Sequence, residues 1–151
     1  MRFVGTIEAK VDAKGRLFCP AVFRKVLQSF GEKELVLAKD AFQSCLVLYP
    51  MSVWDERVDA LRAKLNLWDA KHQMVFRQFV SDVEVVCLDS TGRLLVSKRY
   101  IHLAAIEQEV TFVGMDNTIE IWAKREKEVS FMDADRFASE LQHLMSEDHE
   151  R

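Results

Sequence analysis

From Phe3 the chain alternates, with Phe3, Gly5, Ile7 and Ala9 on one parity, Thr6, Glu8 and Lys10 on the other, and Val4 a mismatch on the polar side. A period of two predicts a half-buried strand. Asp12-Ala13-Lys14-Gly15 then supplies turn chemistry, because Asp can take nearby amides through its side chain and Gly tolerates positive φ. The turn reads as a hairpin tip, and Arg16-Leu17-Phe18-Cys19 resumes extended structure until Pro20. Beyond it, Val22, Phe23, Val26, Leu27 and Phe30 recur at helical spacing, with Gly31 placed as the stop. ELVLAKD and SCLVLYP read as two further strands, completing a β-β-α-β-β unit.

Ser52-Val53-Trp54-Asp55 resembles a capping box with Ser52 as N-cap. It opens a helix whose apolar face runs through Trp54, Val58, Leu61 and Leu65. A second helix over about 69–80 groups Val75, Phe76 and Phe79, and the two are expected to form a small hairpin. The first unit is then replayed by VEVVCLD, a turn at Asp89-Ser90-Thr91-Gly92, a strand from Arg93, a helix over 98–105, and the strands EVTFVG and TIEIWA. At an offset of 77 residues, Asp12, Gly15, Arg16 and Leu17 fall on Asp89, Gly92, Arg93 and Leu94. The offset shrinks to 75 and then 73 in the closing strands, as loops shorten while strands stay aligned.

A unit of about 45 residues is too small to bury a sound core. The two units are therefore expected to close one β-barrel that leaves no strand edge exposed. The organisation expected is a first repeat over 1–50, a helical linker over 51–81, a second repeat over 82–125, and a C-terminal helix with an acidic tail over 126–151. Phe137, Leu141 and Leu144 mark one side of that last helix, and the SEDHER end reads as frayed.

The 151 residues carry a net charge of −3, which by itself argues against a polyanionic partner. The distribution reverses that inference, because residues 1–25 hold a local +4 and residues 88–102 a local +2. No apolar run approaches the ~20 residues of a membrane span. The N-terminus lacks the apolar segment of a signal peptide, so a cytoplasmic protein without membrane contact is expected. Cys19, Cys45 and Cys87 are odd in number, widely spaced and set among apolar neighbours, and are expected to be buried thiols rather than ligands or a disulfide. The four histidines form no ligand pair, the five glycines are isolated, and the carboxylates do not converge. No catalytic residue, metal site, cofactor or small-molecule substrate is expected.

The two turns admit two readings. In one, Asp12 with Arg16 and Asp89 with Arg93 merely hold the turns, where exposed pairs contribute little stability. In the other, Arg16, Arg93 and Lys14 share a face and fork onto phosphate or onto guanine O6 and N7 in a major groove. Asp12 and Asp89 would then orient the arginines, and Gly15 and Gly92 permit the turns. Arg24 joins Lys14, Arg16 and Arg93 as a candidate DNA-facing cation, with Lys25, Lys98 and Arg99 equally readable as solvated helix surface. Phe18, Phe23, Tyr49, Trp54, Trp68, Phe76 and Trp122 are read as core or interface residues.

The stretches MRFVGTIEAKVDAKGRLFCPAVFR, CLVLYPMSVWDE, LDSTGRLLV and VGMDNTIEIW, spread over nearly the whole chain, resemble the MraZ family of bacterial transcriptional regulators. The resemblance implies a mainly β fold with helices (α+β), made of two tandem SpoVT-AbrB-like swapped-hairpin repeats. It implies sequence-specific binding of double-stranded DNA at short direct promoter repeats, ring-shaped homo-oligomers and association with the nucleoid. It further implies repression or autoregulation of a division and cell-wall gene cluster. Arg16 and Arg93 would be the DNA-facing members of two D-x-x-x-R motifs. Ser97 stands where the family commonly has proline, and KRYIHLAAI is an atypical second helix, so Arg16 is the stronger candidate. The alternatives are an oligomeric scaffold with vestigial DNA binding, and an antitoxin-like partner, which the short helical C-terminal region disfavours.

Overall fold

In the computed structural model, which describes residues 1–149, the order β-β-α-β-β occurs twice. The first unit comprises β1 (Thr6–Lys10), β2 (Arg16–Phe18), α1 (Ala21–Ser29), β3 (Glu34–Lys39) and β4 (Leu46–Pro50). Helices α2 (Met51–Lys64) and α3 (Ala70–Ser81) lead to the second unit. That unit comprises β5 (Glu84–Cys87), β6 (Arg93–Leu95), α4 (Lys98–Leu103), β7 (Glu109–Met115) and β8 (Thr118–Ala123). Helices α5 (Lys124–Ser130) and α6 (Ala134–His149) follow.

The units exchange strands, giving a mixed α+β fold. β1 pairs with β7 of the other half, Thr6 opposite Val113 through Lys10 opposite Glu109. Reciprocally, β5 pairs with β3, and β2 pairs with β6 in a separate two-stranded ribbon. The larger sheet has the order β1-β7-β8-β4-β3-β5, with β4 and β8 meeting at its middle. One hydrophobic cluster fills the interior and draws on both halves, including Phe3, Leu17, Phe23, Leu37, Leu94, Tyr100, Phe112 and Ile121. Phe23 and Tyr100 correspond at the 77-residue offset and are both fully buried, so the unusual second helix packs as the first does. The Tyr100 hydroxyl donates to the Leu37 carbonyl at 3.2 Å and the Asp82 carbonyl at 3.3 Å, which satisfies its polar tip.

Several local expectations are corrected. The turns at Asp12 and Asp89 are not hairpin tips, because each sends the chain from the six-stranded sheet across to the ribbon. Edges persist at β1 and β5, and Val85 on β5 is exposed. Ser52 does not cap α2. Pro50, with φ −57°, leads directly from β4 into the helix, and the Ser52 hydroxyl instead bonds Glu32. Asp69 does cap α3, its carboxylate accepting the Lys71 and His72 amides at 2.8 and 3.2 Å. Ser97 occupies the N-cap of α4 as Pro20 does that of α1, and its hydroxyl accepts the Tyr100 amide at 3.4 Å.

The α2–α3 hairpin is held by Trp54 stacked on Phe79, with centroids 4.9 Å apart, while Val75 faces solvent instead of joining Phe76 and Phe79. Phe18 and Trp68 are exposed, unlike the buried Phe23, Trp54 and Trp122. Cys87 is exposed because it shares the outward parity of Val85 on β5, while Val86 between them packs on the core; Cys19 and Cys45 are buried. The short helix α5 was not signalled by periodicity. Phe137, Leu141 and Leu144 on α6 are exposed, α6 runs to His149, and Glu150 and Arg151 of the expected frayed end lie outside the described residues. Among the described residues, no helix is long and apolar enough to cross a membrane.

Candidate nucleic-acid interface

The first turn is built by one carboxylate. Asp12 Oδ1 accepts the Lys14 and Arg16 amides, each at 2.9 Å, and Oδ2 accepts Arg16 Nε at 2.8 Å. The Gly15 amide donates to the Asp12 carbonyl at 3.0 Å, and Gly15 itself sits at φ +86°. The second turn repeats the pattern. Asp89 Oδ1 accepts the Thr91 and Arg93 amides at 3.0 and 2.8 Å, and Oδ2 accepts Arg93 Nε at 2.8 Å. The Gly92 amide donates to the Asp89 carbonyl at 2.9 Å, with Gly92 at φ +87°.

The spacing now has a physical reason. Four residues separate Asp from Arg so that one carboxylate oxygen closes the turn and the other grips the guanidinium by its Nε. Guanidinium carries five donors, so the four on the Nη atoms remain for a ligand. Among the described residues, those Nη atoms of Arg16 and Arg93 make no hydrogen bond. The Arg16 amide, then its guanidinium and the Lys14 amide, hold the Asp12 carboxyl below the usual carboxylate range. Asp89 is held lower still, first by the Arg93 amide and then by the Thr91 hydroxyl and the Arg93 side chain. Both carboxylates therefore stay charged and keep their arginines fixed.

The ribbon brings the two turns together. Leu17 lies opposite Leu94, and both are fully buried. By the two-residue period, their neighbours Arg16, Phe18, Arg93 and Leu95 occupy the outer face. Arg16 is opposite Leu95, and Arg93 is opposite Phe18, with its guanidinium 6.0 Å from the ring centroid. The arginines thus stand diagonally, their Cα atoms roughly 8 Å apart by strand geometry.

The other candidates are placed less symmetrically. Lys14 is exposed at the first turn, while its counterpart Thr91 folds its hydroxyl onto Asp89 Oδ1 at 2.8 Å. Arg24 is half-buried and reaches from α1 onto the second turn, where a Cβ on Gly92 would lie 2.8 Å from its Cδ. Ile101 holds the corresponding place in the second half and packs on the core. The signal missed in the sequence is the pair Phe18 and Leu95, 57% and 59% exposed between the arginines. Their parity, opposite to that of the buried leucines, was the clue.

A family model described as "MraZ protein, putative antitoxin-like" matches the chain twice, over residues 2–78 and 79–140. The chain belongs to the MraZ family. It is 56% identical over 145 residues to the transcriptional regulator MraZ of Phocaeicola vulgatus, covering 96% of this chain and 94% of that protein. The transcriptional regulator MraZ of Bacteroides fragilis is 53% identical over 148 residues, covering 98% and 94% of the two chains. That of Bacteroides thetaiotaomicron is 52% identical over 149 residues, covering 99% and 96%. Each MraZ match contains one Asp–Gly–Arg turn, and the strand exchange joins both turns in a single ribbon.

Proposed function

We propose that this chain is a transcriptional regulator that binds double-stranded DNA sequence-specifically through the outer face of the β2–β6 ribbon. The observation that carries the reading is the duplicated arginine, each held by its Nε to a turn carboxylate, so that its Nη donors are left for a ligand. A two-stranded ribbon fits a major groove, and a guanidinium presented in this way matches guanine O6 and N7 or a phosphate. The relatives' name, transcriptional regulator, supports it. Lys14 and Arg24 add phosphate contacts, Asp12 and Asp89 orient, and Gly15 and Gly92 admit the turns.

The chain works as two repeats, over 1–50 and 82–125, joined by the hairpin over 51–81 and followed by the segment 126–151. It acts as a ring-shaped homo-oligomer in the cytoplasm, associated with the nucleoid. It represses or autoregulates the division and cell-wall gene cluster at short direct repeats in the promoter. The unpartnered apolar residues Phe137, Leu141, Leu144 and Met145 on α6 support assembly. Several copies on one duplex gain affinity through effective concentration.

The test is fluorescence anisotropy with the duplex immediately upstream of the chain's own coding sequence, against a scrambled duplex, at two salt concentrations. The wild type is expected to prefer the upstream duplex and to weaken with salt. A folded Arg16→Ala/Arg93→Ala variant is expected to lose at least about 30-fold in affinity for it, from two arginine contacts. A wild type that binds neither duplex while remaining a defined oligomer would favour the scaffold alternative, and equal binding of both would refute sequence specificity.

A further inference from the structure

We infer that Phe18 and Leu95 determine sequence specificity by contacting thymine methyl groups in the major groove. The inference rests on the DNA-binding reading above. Both side chains are more than half exposed, on two strands whose inward positions, Leu17 and Leu94, are fully buried. Their exposure is not forced by the core, since a polar residue would satisfy the same positions.

Each lies directly across the ribbon from one arginine, Leu95 from Arg16 and Phe18 from Arg93. The outer face is therefore two equivalent couples, each a forked donor beside an apolar surface, one with leucine and one with phenylalanine, related by the pseudo-twofold between the units. A hydrophobic partner protein would find two cations, each about a third exposed, on the diagonal of the same face. A duplex finds the complement of both elements. Guanine offers two acceptors to the fork, and the thymine C5-methyl is the one apolar group the major groove displays. Each couple accordingly selects a guanine with a thymine at a neighbouring step. The Arg93 guanidinium lies over the Phe18 ring at 6.0 Å, a contact that helps to hold that side chain in place.

The experiment removes the methyl group and nothing else. The upstream duplex is synthesised with thymine and again with uracil at every thymine position, which preserves base pairing. Both are titrated with wild type and with Phe18→Ala/Leu95→Ala, and scrambled duplexes of each kind serve as controls. Burying one methyl group corresponds to about a fourfold change in affinity, so two couples give roughly 15-fold weaker binding of the uracil duplex by wild type. The double variant is expected to bind the two forms equally while keeping its preference over scrambled DNA through the arginines.

Equal binding of both forms by wild type, with the preference over scrambled DNA intact, would overturn the inference and leave the regulator reading standing. The same holds if the double variant changes its sedimentation-defined oligomer yet discriminates thymine from uracil as wild type does. The face would then be a contact between copies. If wild type shows no preference for the upstream duplex in its thymine form, the regulator reading itself fails, before uracil enters.

Discussion

Alanine at Gly15 and at Gly92 forms a matched pair of perturbations, because the two turns share hydrogen bonds and differ in what surrounds them. Both glycines sit in the left-handed region, at φ +86° and +87°, where a side chain costs about 1–2 kcal/mol. At Gly15 the new Cβ would lie 2.5 Å from the Val96 carbonyl oxygen, which is backbone. Relief there means parting the ribbon strands and weakening the bond from the Val96 amide to the Gly15 carbonyl, now 2.8 Å, at about a further 1 kcal/mol. At Gly92 the crowding atoms belong to the Arg24 side chain, which can swing away. Gly15→Ala is therefore expected to destabilise by about 2–4 kcal/mol and Gly92→Ala by about 1–2 kcal/mol. For a chain of this length the difference separates their melting temperatures by roughly 3 °C or more. Urea unfolding followed by tryptophan fluorescence, at one protein concentration because assembly raises apparent stability, measures it. A Gly92→Ala variant as unstable as Gly15→Ala would refute the distinction between backbone and side-chain crowding.

Acid should loosen both turns. Asp12 and Asp89 titrate lower folded than unfolded, so their contribution is present above about pH 4 and is lost as pH falls below that value. Asp12→Asn/Asp89→Asn should accordingly show a shallower fall in urea midpoint between about pH 4 and pH 2.5 than wild type. Burial pushes the Cys19 and Cys45 thiols up to about 12, while Cys87 is exposed. A colorimetric thiol reagent at neutral pH should modify one cysteine per native chain and three in denaturant, and Cys87→Ser should abolish the native reaction. Leu94→Ala removes a fully buried side chain beneath the ribbon and should destabilise by about 2–5 kcal/mol in the same urea assay, a loss under 1 kcal/mol arguing against the packing described.

The strands and both repeats were legible because alternation, turn residues and the 77-residue offset agree with one another. The Asp–Arg pairing was legible too, as a possibility, since a carboxylate and an amide four residues on are local neighbours. What stayed hidden is non-local. Nothing in Thr6–Lys10 says that its partner is Glu109–Val113 rather than a strand of its own half. Cys87 sits in an apolar context that reads as core, and it is exposed because the pairing of β5 with β3 turns Val86, not Cys87, inward. Phe18 is half legible: its parity opposes that of Leu17 and Cys19, but which parity faces the core depends on the strand it pairs with in the other half. Arg24 differs again, since the turn it touches belongs to the other half.

The pairing of β1 with β7 also sets an order of events at the ribosome. Thr6 and its partner Val113 are about a hundred residues apart, so the first strand to be made is among the last to be paired. At roughly 5–20 residues per second, β1 waits several seconds or more for its partner to be synthesised. Until then its unpaired amides and the apolar side chains behind them are open to other nascent copies on the same message, a hazard common to long-range strand pairing. Truncation should be correspondingly unforgiving. A chain ending before Glu109 leaves β1 without its ladder, and one beginning after Lys39 leaves β5 without its own.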